Sequence, residues 1–410
     1  MSRQLIVIGG GAAGFFCAVN AARLNTGLKI IIIEKSNKIL SKVKVSGGGR
    51  CNVTHACFDI SEMSKKYPRG GNFVKKIFHH FFTTNTISWF EERGVKLKVE
   101  ADGRMFPVTD SSQTIIDCLL NEAKRYNVDI LLQHEVKSVK QENNIFYLET
   151  GNGKILECDY LCIASGGYPK ASMFDWLVKL SHSFEDPVPS LFTFNLLKNP
   201  ITKLMGVSVN NVSVKIPGTK LTQTGPLLIT HWGLSGPAIL KLSAWGAREL
   251  AQRNYDFSIL VNWVPVFNEQ NLADHMQTIR FESASQKIVN RNPFGLPQRL
   301  WEFILESSGI NNELRWADLP AKNQNKLIRN LSSFEFNVKG KTTFKEEFVT
   351  AGGIKLNEID HHTMMSKKVP NLFFAGEVMD VDGVTGGFNF QHAWTSSFIA
   401  AKTIASSSSV

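Results

Sequence analysis

The sequence predicts an α/β protein, a parallel sheet flanked by helices and interrupted by a second domain of antiparallel β and helices. Three observations carry this. Gln4–Ile8 and Lys29–Ile33 are short apolar runs, the second strongly β-branched, on either side of a glycine turn and a helical segment. The chain has 410 residues, more than one domain usually holds. The pattern changes near Pro187 and Pro189, and a buried-strand pattern returns at residues 371–375.

Taken in order, Ala12–Leu24 reads as a helix with Phe16, Cys17, Ala21 and Leu24 on its inner side. Strand, glycine turn, helix and strand make the opening unit of a Rossmann-like parallel sheet. Residues 35–54 are polar, basic and glycine-rich, and read as a loop. Residues 73–90 and 111–126 have helical rhythm, and 129–132, 135–141, 145–150 and 154–164 read as strands. Val207, Val209, Val212, Val214 and Ile216 alternate with polar residues, apart from a slip at Asn210-Asn211 that reads as a bulge. Residues 221–230 follow as a partner strand, and 268–280, 297–308 and 321–331 as helices. The expected division is therefore 1–189 with 346–410 as one domain and 190–345 as the insert. The serines at 406–409 read as a frayed tail.

Composition excludes several classes. No run approaches the ~18 apolar residues that would span a bilayer. The apolar start is broken by glycines and is not read as a secretory leader. Six dispersed cysteines, none in a Cys-x-x-Cys pair, fit reduced thiols of a cytoplasmic protein. The adjacent pairs His79-His80 and His361-His362 lack a third ligand at chelating spacing, so they read as surface histidines and no metal is expected. A net charge of +10 suits either nucleic acid or a bound diphosphate, and decides nothing by itself.

Gly9-x-Gly11-x-x-Gly14 lies between strand and helix, where glycines permit a tight turn and close approach of backbone to a pyrophosphate. The free N–H groups at the helix start, at Ala12 and Ala13, stabilise phosphate charge. Glu34 ends the second strand about 20 residues past Gly14, the place for a carboxylate that accepts ribose hydroxyls and disfavours a 2′-phosphate. Three further segments favour FAD over NAD as the occupant. Ser46-Gly47-Gly48-Gly49-Arg50-Cys51-Asn52 can lie extended along a ligand, with Arg50 against phosphate or adenine. Ser165-Gly166-Gly167 turns the chain at a strand end. Residues 374–391 carry Gly376, Asp380, Asp382 and Gly386-Gly387 ahead of a helix, whose positive end would stabilise reduced flavin. Asp380 or Asp382 could hold ribityl hydroxyls.

These motifs, with THWGLSGPAIL at 230–240 and TAGGI at 350–354, resemble a bacterial FAD-binding family of NAD(P)/FAD-dependent oxidoreductases of the aminoacetone oxidase type. That family also includes a flavoprotein linked to bile-acid dehydroxylation. The resemblance implies a glutathione-reductase-type FAD domain with an insert of small β-barrel and helices. It implies that Ala13 and Glu34 contact the adenosine diphosphate half, that Arg50 runs along the cofactor and that Val136 packs near adenine. Gly376, Asp380, Gly387, Phe388 and Asn389 fall at the ribityl and isoalloxazine end. Gly9, Gly11, Ala12, Gly14, Lys35, Lys42, Gly48, Gly49, Cys51, Ser165, Gly166, Glu377 and Gly386 complete the implied cofactor set. This sequence departs modestly from the family, with Ser165, His55 and Ser41 where Thr, Asn and Gly are common.

The function expected is hydride transfer between a small molecule and bound FAD, with NAD(P)H as a transient reductant because no second dinucleotide fingerprint is present. His231 is the candidate acid or base on the substrate side, beside the competing reading of a structural histidine. Two alternatives stand beside it. Cys51 and Cys57 could be a redox pair of a flavin disulfide reductase, although five residues intervene where that motif has four. An RNA-associated flavoprotein is the other, although no basic stripe with interleaved aromatics is evident and no nucleic-acid or membrane partner is expected.

Overall fold

The computed structural model describes residues 3–343 and 349–407. The chain divides into two compact units, Met1–Pro189 with Phe344–Val410, and Ser190–Thr343.

In the first unit, β1 (Gln4–Ile8), α1 (Ala12–Leu24) and β2 (Lys29–Ile33) form at the expected places. β3 (Asp129–Leu131) pairs with β2, while β4 (Tyr160–Ile163) and β5 (Leu372–Phe374) extend the sheet beyond β1. Among the described residues the order is β5-β4-β1-β2-β3, all parallel. Central strands of such a sheet are covered on both faces, which is why β1 and β2 read as continuous apolar runs. α1 is not one-sided as expected. Ala13 through Ala22 are all buried, and Leu24, placed inward from sequence, is 43% exposed. The C-terminal helix α2 (Phe388–Ser407) packs directly against α1. Phe16 of α1 lies 5.0 Å from Trp394 and 4.6 Å from Trp89. The polar atoms of this cluster are satisfied: Trp394 Nε1 donates to Val53 O, and Trp89 Nε1 to Asn20 Oδ1.

Three local expectations are corrected. Residues 35–54 are not all loop, since Ser41–Gly49 is a helix broken by non-helical backbone at Ser46, Gly47 and Gly48. Residues 73–90 form two helices, Gly71–Ile77 and Thr83–Glu91, because the Asn85 side chain accepts the Phe82 N–H and starts the helix afresh. Residues 154–164 are two strands in different sheets. Ile155–Cys158 joins an antiparallel hairpin with Val136–Glu142 and Ile145–Thr150, and Asp159 then locks onto Gln4 through its backbone and carboxylate. Ser406 and Ser407 belong to α2, whereas 408–409 and the expected boundary at 345–346 lie outside the described residues.

In the second unit Ser208–Lys215 pairs antiparallel with Thr222–Ile229, and the register slips between Val209 and Val212 where the bulge was expected. The two edge strands of this seven-stranded sheet, counted among the described residues, are Phe334–Lys339 and Lys341–Thr342. They are consecutive, joined at Gly340, so the sheet curls back on itself into a small barrel. Trp263, Trp301 and Trp316 are fully buried with Val212, Val214 and Ile259 in the core shared with the helices.

Candidate cofactor site

The turn after β1 is built by contact between glycines. A Cβ on Gly14 would lie 1.9 Å from Gly9 O, so only glycine allows α1 to start this close to the strand. Gly9 N–H donates to Ile33 O, fixing the turn across the sheet. The opposite holds at Gly11, where an added Cβ would meet nothing within 4 Å. Space is thus left beside the start of α1, as a diphosphate there requires.

Glu34 stands at the mouth of this turn, its carboxylate accepting the Gly10 and Ser36 N–H groups at 2.9 Å each. Those bonds fix its orientation and leave lone pairs for hydroxyls. Beside it opens a cavity of about 310 Å³ that brings together Gly9, Glu34, Lys35, Val136 and Ser165. The far wall was missed from sequence: Tyr168, Met173, Trp176 and Lys179 also line it. Their only signal was aromatic content soon after the Ser165-Gly166-Gly167 turn.

Gly48 and Gly49 have φ of +70° and +84°, and an added Cβ at either would project into open space. The segment is left-handed turn backbone, not the extended loop expected, and it presents bare backbone. Arg50 is engaged elsewhere. Its guanidinium pairs with Glu100 at 2.5 Å, lies 3.6 Å from Asp110 and stacks 4.0 Å over Phe106. Cys51 is fully buried, and burial pushes its thiol up to about 12, whereas Cys57 is partly exposed. Lys42 Nζ meets Glu377 Oε2 at 2.6 Å, and Glu377 Oε1 accepts the Thr350 N–H. Gly167 packs against this corner beside the Thr350 hydroxyl, which is buried with no hydrogen-bond partner among the described residues. Glycine turn, cavity, bare loop and orphaned hydroxyl fit a long dinucleotide.

At the other end Gly376 packs on Ala13, its N–H bound by Ser396 Oγ, and Ser397 Oγ reaches Ala13 O. Two expectations change here. Asp382 is fully buried in an ion pair with Arg69 and does not present a carboxylate to ribityl hydroxyls. Gly387 N–H is not free, because the Asn52 amide, oriented as its neighbours require, accepts it at 2.9 Å. Asn389 clamps the backbone of Gly383 in both directions, and Phe388 stacks on His55 at 4.7 Å while its carbonyl accepts Tyr67 OH. Asp380 is half-buried and its N–H donates to Ile354 O; Gly386 O lies 3.1 Å from His55 Nδ1. His231 belongs to the second unit, exposed in the turn before Gly233–Ser235 with its ring against Trp232.

Residues 3–403 match a known family, the HI0933-like protein Rossmann domain. The chain belongs to the HI0933-like family. Its fold is the Rossmann-type FAD-binding fold. The chain is 32% identical to the ribosomal RNA dihydrouridine synthase of Escherichia coli (strain K12), covering 97% of each. It is 25% identical to a 3-dehydro-bile acid delta(4,6)-reductase of Clostridium scindens, covering 97% of this chain and 98% of that one. These names are of a synthase and a reductase, not of the aminoacetone oxidase type expected from the motifs. Among solved structures, a flavocytochrome c3 fumarate reductase has a TM-score of 0.53 at 17% identity, covering 99% of this chain and 78% of that one. A 3-ketosteroid delta1-dehydrogenase of Sterolibacterium denitrificans has 0.52 at 11%, covering 99% and 100%. At such identities these last two speak to the fold alone. No helix among the described residues is long and apolar enough to cross a membrane.

Proposed function

We propose that this HI0933-like protein is an FAD-dependent reductase that saturates the carbon–carbon double bond of uridine in ribosomal RNA. The observation that carries the reading is likeness to the E. coli ribosomal RNA dihydrouridine synthase along nearly the whole of both chains. The bile-acid relative supports the reaction type, since both names describe hydrogen added across a double bond. RNA, the alternative weighed from sequence, thereby moves ahead of a free small molecule.

In this reading the α1 N–H groups beside Gly11 hold the diphosphate and Glu34 takes the ribose hydroxyls. Val136 and Ser165 line the adenosine cavity. Gly48 and Gly49 lie along the cofactor, and the 376–389 segment frames the ring end. FAD held by these residues would supply the hydride, once reduced by NAD(P)H or another donor. Saturation needs one hydride and one proton per double bond. The disulfide-reductase alternative loses support, because a thiol held near 12 at Cys51 offers almost no thiolate at neutral pH.

The test is to incubate the purified holoprotein and NAD(P)H with in vitro transcribed ribosomal RNA, then digest to nucleosides for mass spectrometry. Dihydrouridine above the no-enzyme control is expected. Its absence, with flavin demonstrably reduced in the same tube, would contradict the reading.

A further inference from the structure

The segment 66–71 is fastened along one side to the 380–388 stretch assigned to the ring end. Val384 N–H donates to Lys66 O, Tyr67 OH to Phe388 O, and Arg69 pairs with buried Asp382. Gly70 sits against Val381 and Asp380 O, where a Cβ would be 2.6 Å and 3.1 Å away. Gly70 also lines an open cleft of about 540 Å³, together with Pro68, Asn72, Phe73, Lys76 and Asn357. The cleft therefore abuts the strap that borders the flavin end.

Basic side chains gather from three separate elements, and Lys76 among them lines the cleft. The two histidine pairs, read from sequence as unrelated surface residues, meet: His80 and His362 rings are 5.6 Å apart edge-on, and His361 and His362 are 4.1 Å apart. Burial lowers the His80 imidazole below its ordinary value, helped by His362, Lys402 and His79, and burial likewise lowers that of His361, helped by His362, Lys76 and Lys367, so both are uncharged near neutral pH. The carboxylate in this group is Asp360, whose Oδ1 already accepts the His362 N–H. No group of three or more His, Cys, Asp or Glu among the described residues is placed to hold a metal ion. The positive charge here near neutral pH is that of Lys76, Lys367 and Lys402, which an anion would offset. The cleft beside them offers an aromatic ring at Phe73 and amides at Asn72 and Asn357, groups that stack on a base and bond its edges.

We infer that this cleft and its basic rim are the RNA-docking surface, with backbone phosphates on Lys76 and Lys402 and an unpaired base against Phe73. The inference rests on the ribosomal RNA reading and locates where that substrate is held. RNA affinity would be measured against salt concentration for in vitro transcribed ribosomal RNA and the FAD-loaded protein. K76Q/K402Q is expected to keep its flavin absorbance, bind about tenfold more weakly near 0.1 M salt and show a salt slope reduced by about 1 per lysine. K124Q/K154Q, with the same charge change at two other exposed positions of this unit, should bind like wild type. Phe73→Ala should lower dihydrouridine yield while leaving the salt slope unchanged. Equal weakening by the two double variants, or none by K76Q/K402Q, would overturn the assignment of this surface. Wild-type protein that binds no ribosomal RNA at any salt would instead overturn the functional reading beneath it.

Discussion

At the scale of single residues, Gly14 and His392 make the clearest demands. A methyl group at position 14 has nowhere to go, since backbone oxygen stands 1.9 Å from where it would sit. Gly14→Ala must push α1 off the sheet and spoil the N–H array at its start. The flavin-to-protein absorbance ratio, read at ~450 nm, should drop about tenfold or more in the purified variant. His392 is fully buried, one ring nitrogen 3.3 Å from Gly376 O and the other without a partner among the described residues. Burial lowers its imidazole from 6.5 to about 4. The unfolded chain therefore binds the extra proton between those values while the folded one does not, and stability is lost as pH falls from about 6.5 toward 4. Thermal melting across that range should fall less steeply for His392→Asn than for wild type. Parallel curves would show that this histidine carries none of the acid sensitivity.

At the scale of elements, the cofactor turn depends on how α2 is seated against α1. Ser396 Oγ accepts the buried Gly376 N–H at 3.0 Å, and Ser397 Oγ bonds the first turn of α1 at Ala13 O. Ser396→Ala leaves a buried donor unmet at a cost of about 1–3 kcal/mol, which differential scanning should register as a melting point lower by several degrees. An unchanged melting point would mean that another group takes the bond. The elements legible from sequence were those with a strong local signal. β1, α1 and β2 announced themselves through β-branched runs around a glycine turn, and the bulge near Asn210 through a broken alternation. Ser41–Gly49 carried no such signal, because only Val43 of that lysine, serine and glycine stretch is buried. The double strand at 154–164 was hidden because a continuous apolar run does not show which sheet each half joins. Pairings over long separations were equally silent. Nothing near Arg50 announces Glu100, nothing near Arg69 announces Asp382, and the two histidine pairs lie hundreds of residues apart in the chain. The cavity wall at Tyr168, Met173 and Trp176 escaped because no periodicity marks residues gathered by a turn.

At the scale of the whole molecule, a net charge of +10 acquires a use if the substrate is a polyanion. It also implies that turnover on ribosomal RNA falls steeply with added salt, while flavin content does not, because only the RNA contact releases many counterions. Steady-state rates at 50 and 300 mM salt check this, and a salt-insensitive rate would favour an uncharged substrate. The central claim is that the glycine turn and its neighbouring cavity grip the adenosine diphosphate half of FAD. Titrating the flavin-free protein with FAD and with FMN, which lacks the adenosine half, tests that claim most directly. FAD should bind near one per chain and tighter than FMN by about a hundredfold or more, equivalent to about 3 kcal/mol. Equal affinity for the two, or no affinity for either, would contradict it.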